Sequence, residues 1–257
     1  MAKIGGQCQT HVDCVPKYEA LQMPGVVRCI EFYRPASFRL LVALGSQRLP
    51  VIRLAETLLG YAERAGTPLT WVLDSVPSRQ FARAMLASQF SFDVALWGDE
   101  SWTDRTVDPE VFRSQLQQRV AGLRGAGLSP RTLVSYGTAY HTSVRVLATQ
   151  QITEVVHARC GTTRRTTLPR GLGYGVSDIP LTRKFGPSLT PWQQTPGGQL
   201  ERDAARHKTA IWLIDLAQQR SSPRAMRQLR TLIEHAGLLR RRGVLQVGDE
   251  TQQLLAA

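Results

Sequence analysis

Four acidic residues in this sequence stand at the ends of short apolar runs: Asp74 after Leu69–Leu73, Asp99 and Glu100 after Phe92–Trp97, and Asp215 inside Thr209–Leu216. Carboxylates brought together from separate strand ends hold a divalent cation, or act as general acid and base. His141 and His157 stand near the same runs. The same acids also serve as helix N-caps or as partners of Arg105 and Arg145, and neither role involves chemistry. Asp99 and Glu100 are the sharpest candidates, because an Asp-Glu pair one residue past an apolar strand is hard to justify by packing. Trp97 and Trp102 flank that pair, and an aromatic face stacked on a sugar ring is a common way to hold carbohydrate. Trp71 and Trp212 lie within apolar runs and read as core.

A second group of ligand-type side chains, Cys8, His11, Cys14 and Cys29, offers thiolates and an imidazole to zinc. The spacing Cys-x2-His-x2-Cys matches no common structural-zinc pattern, so small idle thiols are the simpler reading. With Cys160 added, Cys8, Cys14 and Cys29 remain too few to staple a chain of this size, and no structural disulfide is expected. His11, His207 and His235 have no acidic partner at a meaningful spacing and read as surface or capping residues.

The elements that would position these groups alternate along the chain. Phe38–Leu44, Leu69–Leu73, Phe92–Trp97, Thr132–Tyr136, Ile152–His157, Thr209–Leu216 and Val244–Val247 are strand candidates. Between them lie helix-period segments: one carrying Val51, Leu54, Ala55, Leu58 and Ala62 and stopped at Gly66, one over Ser78–Ser88, and one opened by Asp108 and Pro109. Others run around Thr142–Gln150, after Ser222 and Pro223, and over Asp249–Leu255. The stretch from Gly161 to Gly198 holds five prolines and seven glycines. Beyond a short strand within Gly173–Ile179, it is expected to stay irregular.

Strand and helix in alternation argue for an α/β protein with a parallel sheet, since parallel strands need helical crossovers. No G-x-G-x-x-G follows the first strand, which disfavours a dinucleotide-binding sheet and leaves a barrel. Residues 1–37 precede the pattern and read as an N-terminal extension, with 38–257 as the barrel domain. The chain has 257 residues, 42% hydrophobic and 20% charged, enough for a core and incompatible with a disordered or collagenous chain. No apolar run is long enough to span a membrane, and Met1–Cys14 has no export-signal centre, so the expected compartment is the cytoplasm.

In a β/α barrel the chemistry gathers at the C-terminal strand ends. Here these are Leu44-Gly45-Ser46-Gln47, Leu73-Asp74-Ser75, Trp97-Gly98-Asp99-Glu100, Ser135-Tyr136-Gly137, His157 and Asp215. In this order the chain resembles the polysaccharide deacetylase (NodB-homology) superfamily, whose fold is a distorted (β/α)7 barrel. Phe92–Ser101 is similar to the family's third-strand His-Glu-Ile-Gly-Asn-His-Thr motif, and Leu133-Val134-Ser135-Tyr136-Gly137 resembles its Tyr-Gly strand end. The resemblance sets the family's two metal-binding histidines on Trp97 and Ser101, its paired aspartates near Gly45 and Ser46, and its late histidine on Asp215. The family reaction needs a metal held by His, His and Asp, an aspartate base and a histidine acid. None of these positions keeps its residue type.

The resemblance therefore implies a divergent deacetylase-like barrel, catalytically inactive, that binds a glycan or glycan precursor or assists a biosynthetic complex. Asp74, Trp97, Trp102, Tyr136 and His141 are the substrate-binding candidates. Asp99, Glu100 and Asp215 are the catalytic candidates if activity persists. No cofactor is expected. The alternative is an amide hydrolase using zinc or another divalent metal on substituted ligands. A further alternative follows from the formal charge of +12, nearly all of it between His157 and Gly243, which draws phosphate or carboxylate partners. Only Lys3, Lys17, Lys184 and Lys208 among the basic residues are lysines, and the arginines are not interleaved with aromatics as a stacking platform requires. The expected partner is a carbohydrate or a sugar-containing small molecule, with neither a membrane nor nucleic acid.

Overall fold

Strand β1 (Ala36–Ala43) is buried along its whole length, so its sequence is an apolar run broken only by Ser37 and Arg39. In the computed structural model the described residues are 36–45, 49–88, 92–158, 169–185, 196–206, 209–217 and 223–247. The Cys8, His11, Cys14 and Cys29 group, Cys160 and the helix expected over Asp249–Leu255 lie outside them. So does the expected extension, apart from Ala36 and Ser37, which open β1.

After β1 come α1 (Leu49–Ala65), β2 (Thr70–Leu73), α2 (Arg79–Ala87), β3 (Asp93–Gly98), α3 (Glu100–Thr103), α4 (Pro109–Gly125) and β4 (Thr132–Ser135). A 3-10 turn (Ala139–Thr142), α5 (Val144–Thr149) and β5 (Glu154–His157) follow. The chain ends in β6 (Arg170–Gly173), β7 (Val176–Ile179), β8 (Arg183–Phe185), α6 (Pro196–Arg206), β9 (Thr209–Asp215), α7 (Pro223–Arg241) and β10 (Leu245–Val247). The expected cap at Asp108 is in place, α2 is capped as well, and Ser222 lies outside the described residues. Ser78 Oγ accepts from Phe81 N at 3.3 Å, and the Asp108 carboxylate accepts from Glu110 N at 2.7 Å ahead of Pro109.

One sheet runs in the order β6-β7-β5-β4-β3-β2-β1-β9-β8, with β10 beside the lower half of β1. Every pairing is parallel except β6 with β7. The strands expected to be neighbours are neighbours, and all of them point the same way.

Two contacts show that the sheet curls into a barrel wall. Arg39 on β1 reaches Glu154 on β5, four ladders away in the strand order. In a flat sheet those strands would stand about 19 Å apart, far beyond an arginine side chain. Lys184 on β8 touches Tyr136 just past β4, five ladders away. Among the described residues β6 and β8 do not pair, so the barrel is open there.

Alternation along the strands divides the core in two. Leu41, Ala43, Val72, Ala95, Val134, Val156, Ile211 and Leu213 line the concave face, joined by the half-buried Trp97 and Tyr136. A larger outer layer packs Phe38, Leu40, Trp71, Leu96, Leu133 and Trp212 against the helices.

At the N-terminal end of the strands the interior is polar. Arg39, 5% exposed, donates from Nε to Thr70 Oγ1 at 3.0 Å and from Nη2 to Thr132 Oγ1 at 2.8 Å. It also forms short ion pairs with Asp93 and Glu154, and Thr132 Oγ1 donates to Glu154 at 2.9 Å. One guanidinium fork thus ties β1 to β2, β3, β4 and β5 and satisfies carboxylates that would otherwise be buried unpaired.

The proline- and glycine-rich stretch is more ordered than its composition suggests. A hairpin turns at Tyr174 and Gly175, both at positive φ, and β8 pairs with β9. Helix α6 was not expected, because its Pro-Gly-Gly opening has weak helical propensity. Tertiary contacts hold it. Asp203 accepts from Trp212 Nε1 at 3.1 Å and from Arg183 Nε at 3.0 Å. His235 of α7 pairs with Glu201 of α6 at 2.8 Å, which corrects the reading that this histidine lacks an acidic partner: the partner lies 34 residues away.

Several arginines donate to main-chain carbonyls. Arg240 binds Gly66 O at 3.0 Å, Arg241 binds Ala65 O at 2.6 Å and Arg124 binds Gln150 O at 2.7 Å. They satisfy the acceptors that a helix leaves open at its C-terminus.

Candidate functional site

Because β1 to β5 and β9 are mutually parallel, their C-terminal ends share one end of the barrel. Asp74, Asp99, Glu100, Tyr136 and Asp215 therefore all lie at that end.

Trp97 follows the inward Ala95 by two residues and faces the concave side. Its ring meets Tyr136 edge-on, with centroids 5.1 Å apart at 74°. Lys184 is in register with Leu213 of the concave layer. It donates from Nζ to Tyr136 Oη at 2.5 Å and sits 5.0 Å from the centre of the tyrosine ring. Asp215, 8% exposed and the last residue of β9, accepts from Ala217 N at 3.0 Å. Trp97, Tyr136 and Lys184 form the joined part of the mouth.

The remaining acids have local roles. Asp99 caps α3, accepting from Ser101 N at 2.8 Å and making a short bond with Ser101 Oγ. The pair that looked hard to justify by packing is thus accounted for by a helix start, with Glu100 exposed in the first turn. Asp74 accepts from Ser75 Oγ at 3.0 Å, and its carbonyl binds Arg119.

Trp102 is not at the mouth. It is 2% exposed in the outer core, 5.6 Å from Phe112 between ring centroids and under the Arg119 guanidinium. The four-residue α3 turns the chain outward between the two tryptophans, so Trp102 cannot reach a ligand on the concave side. His141 is exposed and stacks on Tyr140, itself part of the outer core, at 4.3 Å. His157 follows the inward Val156 and so faces the helices.

Gly137 explains the strand end that carries Tyr136. A Cβ there would stand 1.8 Å from Thr103 O, so only glycine lets α3 close onto β4. Thr103 Oγ1 accepts from Gly137 N at 3.0 Å and donates to Asp99 O at 2.6 Å, locking the two strand ends together.

The residues at the mouth do not fit the divalent metal of the resembling fold. Where the sequence resemblance implies two imidazoles this chain has Trp97 and Ser101, and Ser101 is engaged by Asp99. Gly45 lies at φ 64°, and a Cβ on it would be 2.7 Å from Ala217 Cβ and 3.1 Å from Asp215 Oδ1. The backbone thus leaves no room for a carboxylate at Gly45, and Ser46 lies outside the described residues. Among the described residues, no three His, Cys, Asp or Glu side chains are grouped so as to hold a metal ion.

No family model and no curated protein matches the sequence. Solved structures do. A 4-alpha-glucanotransferase from Thermococcus litoralis superposes with a TM-score of 0.59 at 11% identity, over 88% of this chain and 41% of that one. A carbohydrate esterase family 4 pseudoenzyme from Bacillus anthracis gives 0.54 at 16% identity, over 86% of this chain and 66% of its own. A family 4 carbohydrate esterase from Streptomyces lividans, solved with acetate, gives 0.50 at 13% identity, over 85% and 94%. This chain thus spans less than two thirds of the first two. At these identities the likeness establishes architecture, and it agrees with the strand order and curl described above: the chain has the α/β barrel fold that these carbohydrate-active proteins share.

Proposed function

We propose that this protein holds a sugar or glycan precursor at the mouth of a deacetylase-type barrel without hydrolysing it, in the cytoplasm and with no resident metal, alone or within a biosynthetic complex. One observation carries the reading. At the third strand end, where the resembling family has a metal-binding histidine, this chain has Trp97, whose ring packs against Tyr136 and faces the concave side. That substitution removes a ligand and supplies an aromatic face, the type of surface on which sugar rings stack. The helix-capping role of Asp99 supports the same reading, since the acid beside it needs no chemistry to explain it.

No helix of the described residues is long and apolar enough to cross a membrane. A phosphopolymer reading gains nothing from Arg124, Arg240 and Arg241, whose guanidinium groups serve main-chain carbonyls.

Calorimetric titration with N-acetylglucosamine oligomers tests the proposal. The wild type is expected to bind, and Trp97→Ala to bind about tenfold more weakly with its thermal midpoint little changed, since the ring is only half-buried. Absence of binding by the wild type, or equal affinity in the variant, would contradict it.

A further inference from the structure

The sugar-binding reading leaves the chemistry of the sugar open, and Lys184 narrows it. Its neighbour Arg183 points to the outer face, where Asp203 holds it at 3.0 Å. Lys184 points to the concave face, where its contacts are aromatic: Tyr136 Oη at 2.5 Å and the Tyr136 ring at 5.0 Å. Among the described residues no carboxylate oxygen lies within ion-pair distance of this ammonium. The concave wall below it is Val72, Ala95, Val134, Val156 and Leu213, all apolar. An ammonium has three donors and is strongly hydrated, so one set against a tyrosine ring, with a hydroxyl as its protein partner, is poised to take an anionic acceptor from a ligand. The phenol it contacts is part of the aromatic pair that would stack the sugar.

From this we infer that the mouth recognises an anionic sugar, one whose carboxylate or phosphate rests on Lys184 while its ring lies against Trp97 and Tyr136. This rests on the sugar-binding reading above. The acids at the same end limit how much charge the ligand carries. The Asp74, Asp99 and Asp215 carboxylates, though engaged locally, would repel a densely charged polymer. The fitting ligand therefore bears isolated anionic groups, as a uronic-acid oligosaccharide or a sugar monophosphate does.

Titrations at low salt, about 50 mM, with matched probes test this. One pair is a glucuronate–N-acetylglucosamine tetrasaccharide against the N-acetylglucosamine tetramer. The other is N-acetylglucosamine 6-phosphate against N-acetylglucosamine, and the two pairs separate carboxylate from phosphate as the source. At least one anionic probe is expected to bind about tenfold more tightly than its neutral partner. Lys184→Met is expected to erase that difference, weakening the anionic probe more than its neutral partner, and Lys184→Arg, which keeps the charge, to retain part of it. Thermal melts of both variants separate a binding defect from misfolding.

Neutral and anionic sugars bound alike by the wild type would overturn the inference and leave the sugar-binding reading standing. Equal losses for both probe classes in a folded Lys184→Met would overturn it too. Binding of inorganic phosphate as tight as that of any sugar would overturn the sugar part. No binding of any sugar would sink the reading beneath it.

Discussion

Truncating Arg39 to alanine is expected to destabilise the fold by about 3–5 kcal/mol, lowering the thermal midpoint by about 10 °C. The loss is not that of one favourable contact. Arg39 is 5% exposed and partners Asp93, Glu154, Thr70 and Thr132, so its removal leaves two carboxylates in the barrel interior without a counter-charge. That leftover cost is what makes breaking a buried pair more damaging than never having built it. The companion experiment is the triple variant Arg39→Met, Asp93→Asn, Glu154→Gln, which removes the charges together. It is expected to recover most of the stability, and the difference between single and triple variants measures the coupling. An Arg39→Ala midpoint within a degree or two of wild type would show that the cluster does not hold the strand feet together.

Gly137→Ala should be nearly as damaging for a different reason. The added methyl would sit 1.8 Å from Thr103 O and 2.5 Å from Asp104 N, both backbone atoms that cannot swing aside. Helix α3 must lift away from β4, losing the Gly137 N to Thr103 Oγ1 bond, at a cost of about 3 kcal/mol or more. Tyr136 is the preceding residue, so the proposed sugar binding should fall with stability. Gly125→Ala is the matched control. It ends α4 with nothing within 4 Å of the new methyl and should be neutral or stabilising by about 0.5 kcal/mol. Equal midpoints for the two variants in thermal denaturation would contradict this account of the α3–β4 contact.

The six central parallel strands were legible because buried parallel strands are written as short apolar runs, and Asp108-Pro109 marks a helix start by local chemistry. What was not legible depended on which face a residue takes. Trp97 and Trp102 flank the same acidic pair, and only the turn made by α3 sends one to the mouth and the other to the outer core. His157 sits at a strand end but on the wrong parity to face the mouth. Helix α6 has poor local propensity and exists through Asp203, Arg183 and Trp212, a set no window of sequence brings together. The Arg39 cluster left a faint trace: Asp93 and Glu154 open their strands, while Arg39 interrupts the apolar run of β1. Lys184, in the stretch expected to stay irregular, left none, because its meaning comes from Tyr136 on the far side of the curl.

The proposed function requires a barrel of deacetylase-like architecture without hydrolytic machinery. The direct test is release of acetate from N-acetylglucosamine oligomers by the purified wild-type protein, with and without added zinc or cobalt. No release above the protein-free control is expected under any of these conditions. Acetate release that a chelator abolishes, and that Asp99→Asn also abolishes, would show a working substitute constellation at the mouth and contradict the account.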